Sequence, residues 1–396
     1  MSRKLFTYSG SDLCFDGENQ NLNALIKDYQ HPFWLYKKSI IEQRISWVQN
    51  WKNLGRLHYA MKANFHPEIL KIIKEKNCGI DAVSLGEMRQ AIACGFKPQD
   101  IILSGVAKTN QELTWAIENQ IYQINIESES ELTKIIQINS KLNKKINLAL
   151  RVNPEVDAGT HPGIATALKD SKFGLDFQTA DQLIQRISLE KNLDLKAISF
   201  HIGSQVMNVE VFRKAIQTVK PFFTEAKKIC PELDRLDLGG GLGIDYQDAD
   251  SDEDFNRWLA LQKIYDDELQ GFPAFLILEI GRFLTARSCV LISRIEIIKT
   301  AASKKYMILD AGMSLLLRPA LYQAQHQILP LKLKPGSSSV YTVVGPICES
   351  SDVLLKDKLF SFVSEGDFVC ICDVGAYGAS MSSRYNLREL APEIFI

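Results

Sequence analysis

The sequence predicts an α/β chain in which a (β/α)8 barrel is joined to a second, all-β domain. Three observations carry this expectation. From Leu57 to about residue 281, eight short apolar runs occur, most followed by a longer amphipathic run. Strands separated by helices must run parallel, and eight such units suit a closed barrel. The competing doubly wound sheet lacks its dinucleotide fingerprint, because "GGGLGI" has Ile244 where a third glycine belongs. Beyond Arg287 the helical runs cease and β-type runs take over.

Each element can be justified in turn. "LHYAMKA" is the first strand, and the helix after it begins near Pro67, a residue suited to a first helical turn. "GIDAVS" precedes a helix from Gly86 to about Gly95. "DIILSG" precedes "TNQELTWAIENQ", in which Thr109 and Glu112 have capping-box spacing. "QINIES" precedes "SELTKIIQINSKL", and "NLALRVN" is followed by a longer insertion. "LKAISFHIGS", a helix around Val209–Cys230, "RLDLGGG", a helix around Asp254–Leu269 and "FLILEIG" complete the barrel.

The β domain is expected from "VLISRIEIIKT", "KKYMILDAG", "VYTVVGPI", "KLFSFV" and "DFVCICDV", punctuated by "KPGSSS" and "SEGD". The implied organisation is an N-terminal segment, 1–32, folding back onto the β domain, a barrel over 33–283 and a sandwich-like or barrel-like β domain over 284–396. "QDADSDEDF" is predicted as an acidic solvated loop.

Composition narrows the function. The 396 residues are 46% apolar and 23% charged, with a net charge of -1, which leaves no basic field for nucleic acid or a membrane surface. The start, "MSRKLFTYSGSDLCFDG", has no apolar run of signal-peptide length, and no 18-residue apolar stretch occurs. Eight cysteines are scattered without a C-x-x-C pair, and Cys370 and Cys372 read as buried strand thiols. A reduced, cytoplasmic protein is expected.

The strand ends are the informative positions. In order they are Lys62, Asp81 with Ser84, Ser104, Glu127, Arg151, His201 with Ser204, Gly239–Gly241, and Glu279 with Arg282. A lysine at a strand end is ordinarily a solvated edge residue. In a parallel barrel, however, all these ends meet on one rim, where such folds keep their chemistry. A lysine desolvated at a barrel mouth is suited to Schiff-base formation with an aldehyde. Three consecutive glycines let backbone N–H groups approach a phosphate. A cofactor carrying both groups is pyridoxal 5'-phosphate. Glu279 could then keep its pyridine nitrogen protonated and His201 could stack on its ring. The bland alternatives are a salt-bridged carboxylate and a packed core histidine.

The motifs "YAMKAN", "ILSGVAKT", "RVNPEVDAGTHPGIATALKDSKFG", "HIGSQ", "LDLGGGLGI", "DAGMSLLLRPALYQAQH", "GPICESSDVL" and "DVGAYGASMSSRYN" run from about His31 to the C-terminus. Together they resemble the diaminopimelate decarboxylases of the alanine-racemase-like, fold type III group of pyridoxal phosphate enzymes. The resemblance implies that Lys62 holds the cofactor covalently, Glu279 pairs with the pyridine nitrogen and His201 stacks on the ring. It implies that Ser204, Gly239, Gly240, Gly241, Gly281, Arg282 and Tyr377 surround the phosphate and cofactor. Cys348 would protonate the substrate carbon after carbon dioxide leaves, and Glu349 would hold the distal ammonium. Arg282, Arg318, Tyr322 and Tyr377 would bind substrate, the arginines meeting its distal carboxylate. It also implies a homodimer whose active sites are shared across the interface, and decarboxylation of meso-2,6-diaminopimelate to L-lysine in lysine biosynthesis. No metal is implied.

One position departs from the family pattern: the usual E-P-G-R reads Glu279-Ile280-Gly281-Arg282, which removes a fixed φ beside the phosphate. The rivals are a racemase on the same barrel, a decarboxylase of ornithine, lysine, arginine or a carrier-bound amino acid, and a binding protein without activity. Glu279 and "CES" oppose the racemase. Polyamine-forming relatives have Cys-Asp where this chain has Cys348-Glu349, and their substrates give Arg318 no carboxylate to bind. A non-catalytic relative should have lost Lys62, Cys348 or a turn glycine, and all are present.

Overall fold

The computed structural model describes the chain except residues 1–3, 16–21, 27, 28, 30, 158, 160, 162, 164–170, 249 and 250, and the side chains of Ala24 and Ser251. Parts of "RVNPEVDAGTHPGIATALKDSKFG" and "QDADSDEDF", and of the N-terminal segment, therefore lie outside the described residues. The chain divides into two compact units, one of Glu42–Gly243 and Arg257–Phe283, the other of Met1–Ile41, Ile244–Asn256 and Leu284–Ile396.

In the first unit eight parallel strands close into a barrel. They are β1 (Leu54–Ala60), β2 (Gly79–Ala82), β3 (Ile101–Leu103), β4 (Gln123–Ile126), β5 (Ile146–Arg151), β6 (Leu193–Ser199), β7 (Arg235–Asp237) and β8 (Phe275–Ile280). Each pairs with its sequence neighbour, and β8 returns to β1 through Leu278↔Leu57, Glu279↔His58 and Ile280↔Tyr59. The eight-unit reading holds strand for strand. Tyr59, Ile80, Ile102, Leu148, Ile198, Leu236 and Ile277 are all buried, as strands covered on both faces require.

Local chemistry sets the helix starts. His66 caps the helix Pro67–Glu75, its Nδ1 accepting the Glu68 N–H at 3.2 Å. Thr109 and Glu112 form the reciprocal capping box before Asn110–Glu118, with the Thr109 N–H donating to Glu112 Oε2 at 2.8 Å. Two helices, Lys38–Gln49 and Phe177–Ser188, were not anticipated. The second starts at the end of the stretch read as an insertion. Asp176 caps it by accepting the Thr179 N–H at 2.8 Å, and Ala180, Leu183, Ile184 and Ile187 form its buried face. Its apolar period was present in the sequence, but the long segment after β5 separated it from its strand.

The second unit is built on a six-strand sheet in the order Ile328–Pro330, Phe368–Ile371, Cys289–Ala301, Lys304–Leu309, Ser339–Val344 and Val353–Phe360. Phe33–Tyr36 joins it, antiparallel to Cys289–Ala301 and parallel to Glu393–Phe395. That strand lies within 33–283, the range expected for the barrel, yet its backbone bonds belong to the β sheet. Leu5, Leu13, Phe15 and Leu22 pack in one apolar cluster with Phe33, Leu35, Val290 and Leu331. Cys370 and Cys372 are buried free thiols, as expected.

The acidic segment at 247–255 corrects the sequence reading. Asp254 is fully buried, and Arg287 Nε meets its Oδ2 at 2.8 Å. Arg287 also reaches Asp373 Oδ2 at 2.7 Å and the Asp248 carbonyl at 2.9 Å. What looked like a solvated charge run supplies an internal counter-charge, because one buried guanidinium needs more than one acceptor. Arg287→Ala should leave two buried carboxylates without their cation and cost about 3–5 kcal/mol. Chemical denaturation would read this, and an unchanged midpoint would refute the assignment.

Candidate active site

The parallel barrel brings the predicted strand-end residues to one rim. β1 ends at Ala60, and a single turn of 3-10 helix, Met61–Ala63, carries Lys62. Its Nζ lies 3.0 Å from Oδ2 of Asp81 at the end of β2; the carboxylate is fully buried and the lysine side chain 38% exposed. The desolvation expected at Lys62 is thus partial: the amine is partly open and held on a buried carboxylate.

Glu279, near the end of β8, is 9% exposed and accepts from Asn125 Nδ2 at 3.2 Å. Asn125 in turn donates to Ser104 Oγ at 3.0 Å and accepts from Gln123 at 2.8 Å. Burial, and then the neighbouring carboxyls of Asp237 and Asp81, push the Glu279 carboxyl well above its usual range. The carboxyl expected to meet a pyridine nitrogen is thus one whose protonated form burial and like charges favour.

His201 follows β6. Its Nδ1 lies 3.2 Å from the Gly240 N–H, which makes that nitrogen an acceptor. Desolvation first, then Arg151 and Lys62, drives its pKa well below the ordinary value, so the ring is neutral. The Gly239 N–H donates to Asp237 Oδ1 at 3.0 Å. Two of the three N–H groups that the sequence offered to a phosphate are therefore already taken, by Asp237 and His201. The glycines are needed for closeness. A Cβ on Gly240 would stand 1.9 Å from the Glu279 carbonyl oxygen, and one on Gly241 would stand 2.1 Å from that of Gly203. Beside the turn, Arg282 Nη2 donates to Ser204 Oγ at 2.9 Å. Gly281 fits against Ala60 and Ala63, where a Cβ would come within 2.9 Å of the Ala63 Cβ.

Other strand ends turn out to be structural. Ser84 caps the helix Leu85–Ala93 by accepting the Glu87 N–H at 3.2 Å. Glu127 gathers Arg151 Nη1 at 2.8 Å with the N–H groups of Gly105 and Gly174. Asp237 was not singled out beforehand. Its signal was position alone: the last residue of β7, two before the glycine turn.

The β unit carries the remaining predicted residues. Cys348 and Glu349 share one loop. Asp352 accepts the N–H groups of Ile347 at 2.8 Å and Met313 at 2.6 Å, which draws the loop tight and leaves Cys348 exposed as a free thiol. A Cβ on Gly345 would meet Asp352 Oδ2 at 2.3 Å, so the loop requires glycine there. Glu349 accepts from the Tyr385 hydroxyl and from Ser351 Oγ, and these bonds hold its carboxyl below the usual range. Tyr385, in "SSRYN", was not predicted individually. Arg318 opens the helix Arg318–Tyr322, is buried, stacks at 4.2 Å over the Tyr246 ring and lies 2.7 Å from His326 Nε2. His326 Nδ1 donates to the Cys372 carbonyl at 2.8 Å, so Nε2 is the acceptor for arginine. Tyr377 is half-buried with φ +56°, a left-handed conformation that a tyrosine rarely adopts.

The comparisons show the family. The model of the family described as "Pyridoxal-dependent decarboxylase, pyridoxal binding domain" matches residues 37–286. The chain belongs to this family. It is a carboxy-lyase that uses pyridoxal 5'-phosphate. The chain is 37% identical to the diaminopimelate decarboxylase of Aquifex aeolicus, covering 96% of this chain and 90% of that protein. It is 36% identical to the Vibrio cholerae enzyme, with the same coverage. A crystal structure of diaminopimelate decarboxylase from Helicobacter pylori complexed with L-lysine superposes with a TM-score of 0.89 at 35% identity, over 95% of this chain and 94% of that one.

The residues present fit the cofactor. Among the described residues no hydrogen-bond donor reaches Oδ1 of buried Asp81 or Oδ2 of buried Asp237. This rim therefore suits a ligand that brings positive charge. Gly240→Ala should lose about 1–3 kcal/mol of stability in the cofactor-free protein and retain pyridoxal phosphate more weakly. Unfolding curves and dialysis would read both, and wild-type values in each would contradict the close-approach argument.

Proposed function

We infer that this protein removes carbon dioxide from meso-2,6-diaminopimelate and releases L-lysine, the closing reaction of lysine biosynthesis. The observation that carries the reading is the likeness to diaminopimelate decarboxylases over 96% of the chain. The lysine, carboxyls and glycine turn on one barrel rim supply the chemistry.

Pyridoxal phosphate, when bound, supplies the electron sink that accepts the pair left behind by the departing carboxylate. Lys62 would hold its aldehyde carbon, and Asp81 would orient the lysine amine through their 3.0 Å pair. Glu279 would keep a proton at the pyridine nitrogen, and neutral His201 would stack on the ring. Ser204, Gly239, Gly240, Gly241, Gly281, Arg282 and Tyr377 would surround the phosphate and cofactor. Their support is the crowding that only glycine permits at Gly240 and Gly241, and the Arg282–Ser204 bond.

At the substrate, one C–C bond breaks and one C–H bond forms. The Cys348 thiol would return the proton to that carbon, and its exposure on a tight loop supports this role. Glu349, held ionised by its hydrogen bonds from Tyr385 and Ser351, would bind the distal ammonium. Arg282, Arg318 and Tyr322 would bind the distal carboxylate, with Tyr377 alongside, because a guanidinium fork matches a carboxylate. An exposed proton donor suits a site completed by a second copy, so we propose a homodimer with shared active sites in the cytoplasm. No described helix is long and apolar enough to cross a membrane.

Carbon dioxide release should be measured with meso-diaminopimelate, ornithine, lysine and arginine side by side. Release from diaminopimelate alone, with lysine as product, is the expected result. Release from another substrate in preference would overturn the substrate assignment. Cys348→Ala should slow turnover by about 100-fold or more while cofactor stays bound. Mixing it with Lys62→Ala chains should restore activity in verified heterodimers, and no recovery would count against a shared site.

A further inference from the structure

The barrel interior carries two amides where bulky apolar side chains usually stack. Gln123 and Asn125 lie two residues apart on β4, so they share one face of the strand, and both are buried. A buried amide is costly unless its donors and acceptor are met. Here the bonds form one line. Arg235 Nη1, at the start of β7, lies 3.5 Å from Gln123 Oε1. Gln123 Nε2 donates to Asn125 Oδ1 at 2.8 Å, and Asn125 Nδ2 donates to Glu279 Oε1 at 3.2 Å. β4 and β8 are not neighbours in the barrel, so the last bond crosses its interior.

The line has a direction. A guanidinium only donates, so it turns the Gln123 oxygen towards itself and the Gln123 nitrogen towards Asn125. Oδ1 of Asn125 is then its acceptor, and its NH2 faces Glu279. The other hydrogen of that NH2 goes to Ser104 Oγ at 3.0 Å, so the whole amide is used. Turned round, it would set an N–H against the Gln123 N–H and an oxygen against the Glu279 carboxylate. The backbone is held as well: buried Lys108 donates to the Asn125 carbonyl at 2.5 Å and pairs with Glu131 at 2.6 Å. An N–H aimed at a carboxyl favours its ionised form. It acts with the Lys62 cation against burial, Asp237 and Asp81, which favour the protonated form.

We propose that Asn125, oriented by Gln123 and Arg235, is a positioning residue for Glu279: its N–H fixes one carboxylate oxygen and keeps the group ionised, ready to accept from the protonated ring nitrogen of the cofactor. This rests on the reading of the rim as a pyridoxal phosphate site with Glu279 at that nitrogen. One proton is at stake. Without the Asn125 N–H it moves from the nitrogen to the Glu279 carboxyl, and the electron sink weakens.

Asn125→Leu tests this, because leucine has nearly the shape of asparagine and cannot donate. Nitrogen NMR of the holoenzyme, loaded with isotope-labelled pyridoxal phosphate, reads how much of the ring nitrogen is protonated at neutral pH. In the variant the ratio of protonated to unprotonated nitrogen should fall about 10-fold or more, since a hydrogen bond to a charged group is lost. kcat should fall with it, with KM little changed. An unchanged ratio with cofactor bound would overturn the proposal alone. A wild-type chain that fails to bind pyridoxal phosphate, or binds it with the nitrogen unprotonated, would overturn the reading of the site itself. Should Asn125→Leu not fold, Gln123→Glu decides. Its carboxylate keeps the shape and the contact with Arg235 but can only accept, so Asn125 must turn and present its oxygen to Glu279. The same loss of ring protonation supports the proposal, and a wild-type ratio refutes it.

Discussion

Buried negative charge at one end of the barrel is the constraint that organises the site. Asp81, Asp237 and Glu279 come from three strands, and none is more than 9% exposed. Carboxylates removed from water are costly unless cations or hydrogen-bond donors answer them. Lys62 answers Asp81, the Gly239 N–H answers Asp237, and Asn125 answers Glu279. These partners leave part of the charge unanswered, which a fold selected for stability alone would have replaced. A ligand able to bring a proton or positive charge to this rim would meet that need.

The barrel makes such a concentration possible. Parallel strands deliver all their carboxyl ends to one rim, so residues remote in sequence arrive together without long side chains or flexible loops. Closure also fixes neighbours. The β7–β8 pairing sets Asp237 beside the strand that carries Glu279, and the β8–β1 pairing draws Gly281 against Ala60 and Ala63. Ile280 replaces the proline that the family usually has. It is buried in the wall and keeps strand pairing with Tyr59, so the neighbouring glycine still makes its close approach.

The β unit meets a different physical problem. Its loop must present a thiol and a carboxylate to solvent yet keep them in place. Asp352 does this from beneath, taking two backbone N–H groups, and Gly312 and Gly345 leave room for its oxygens. Tyr385 and Ser351 hold Glu349 by hydrogen bonds. Elsewhere in this unit, Arg287 pairs with two buried carboxylates. Here hydrogen bonds position groups that burial positions in the barrel.

Much of this was legible beforehand. Eight apolar runs at strand length were enough for the strand count, and Thr109 with Glu112 located a helix start. Strand-end residue types, with the motifs around them, pointed to the cofactor. These are local properties, carried by periodicity and side-chain chemistry within a few residues. Pairing was not legible. Nothing near Lys62 in sequence indicated that it would rest on Asp81, and an acidic run gave no sign that Asp254 would be buried against Arg287. Nor could the glycine turn reveal that two of its N–H groups were already taken by Asp237 and His201. Sequence alone determined which groups were available and on which kind of scaffold. Tertiary structure decided which of them meet, because burial and hydrogen-bond partners depend on strands brought together only when the barrel closes.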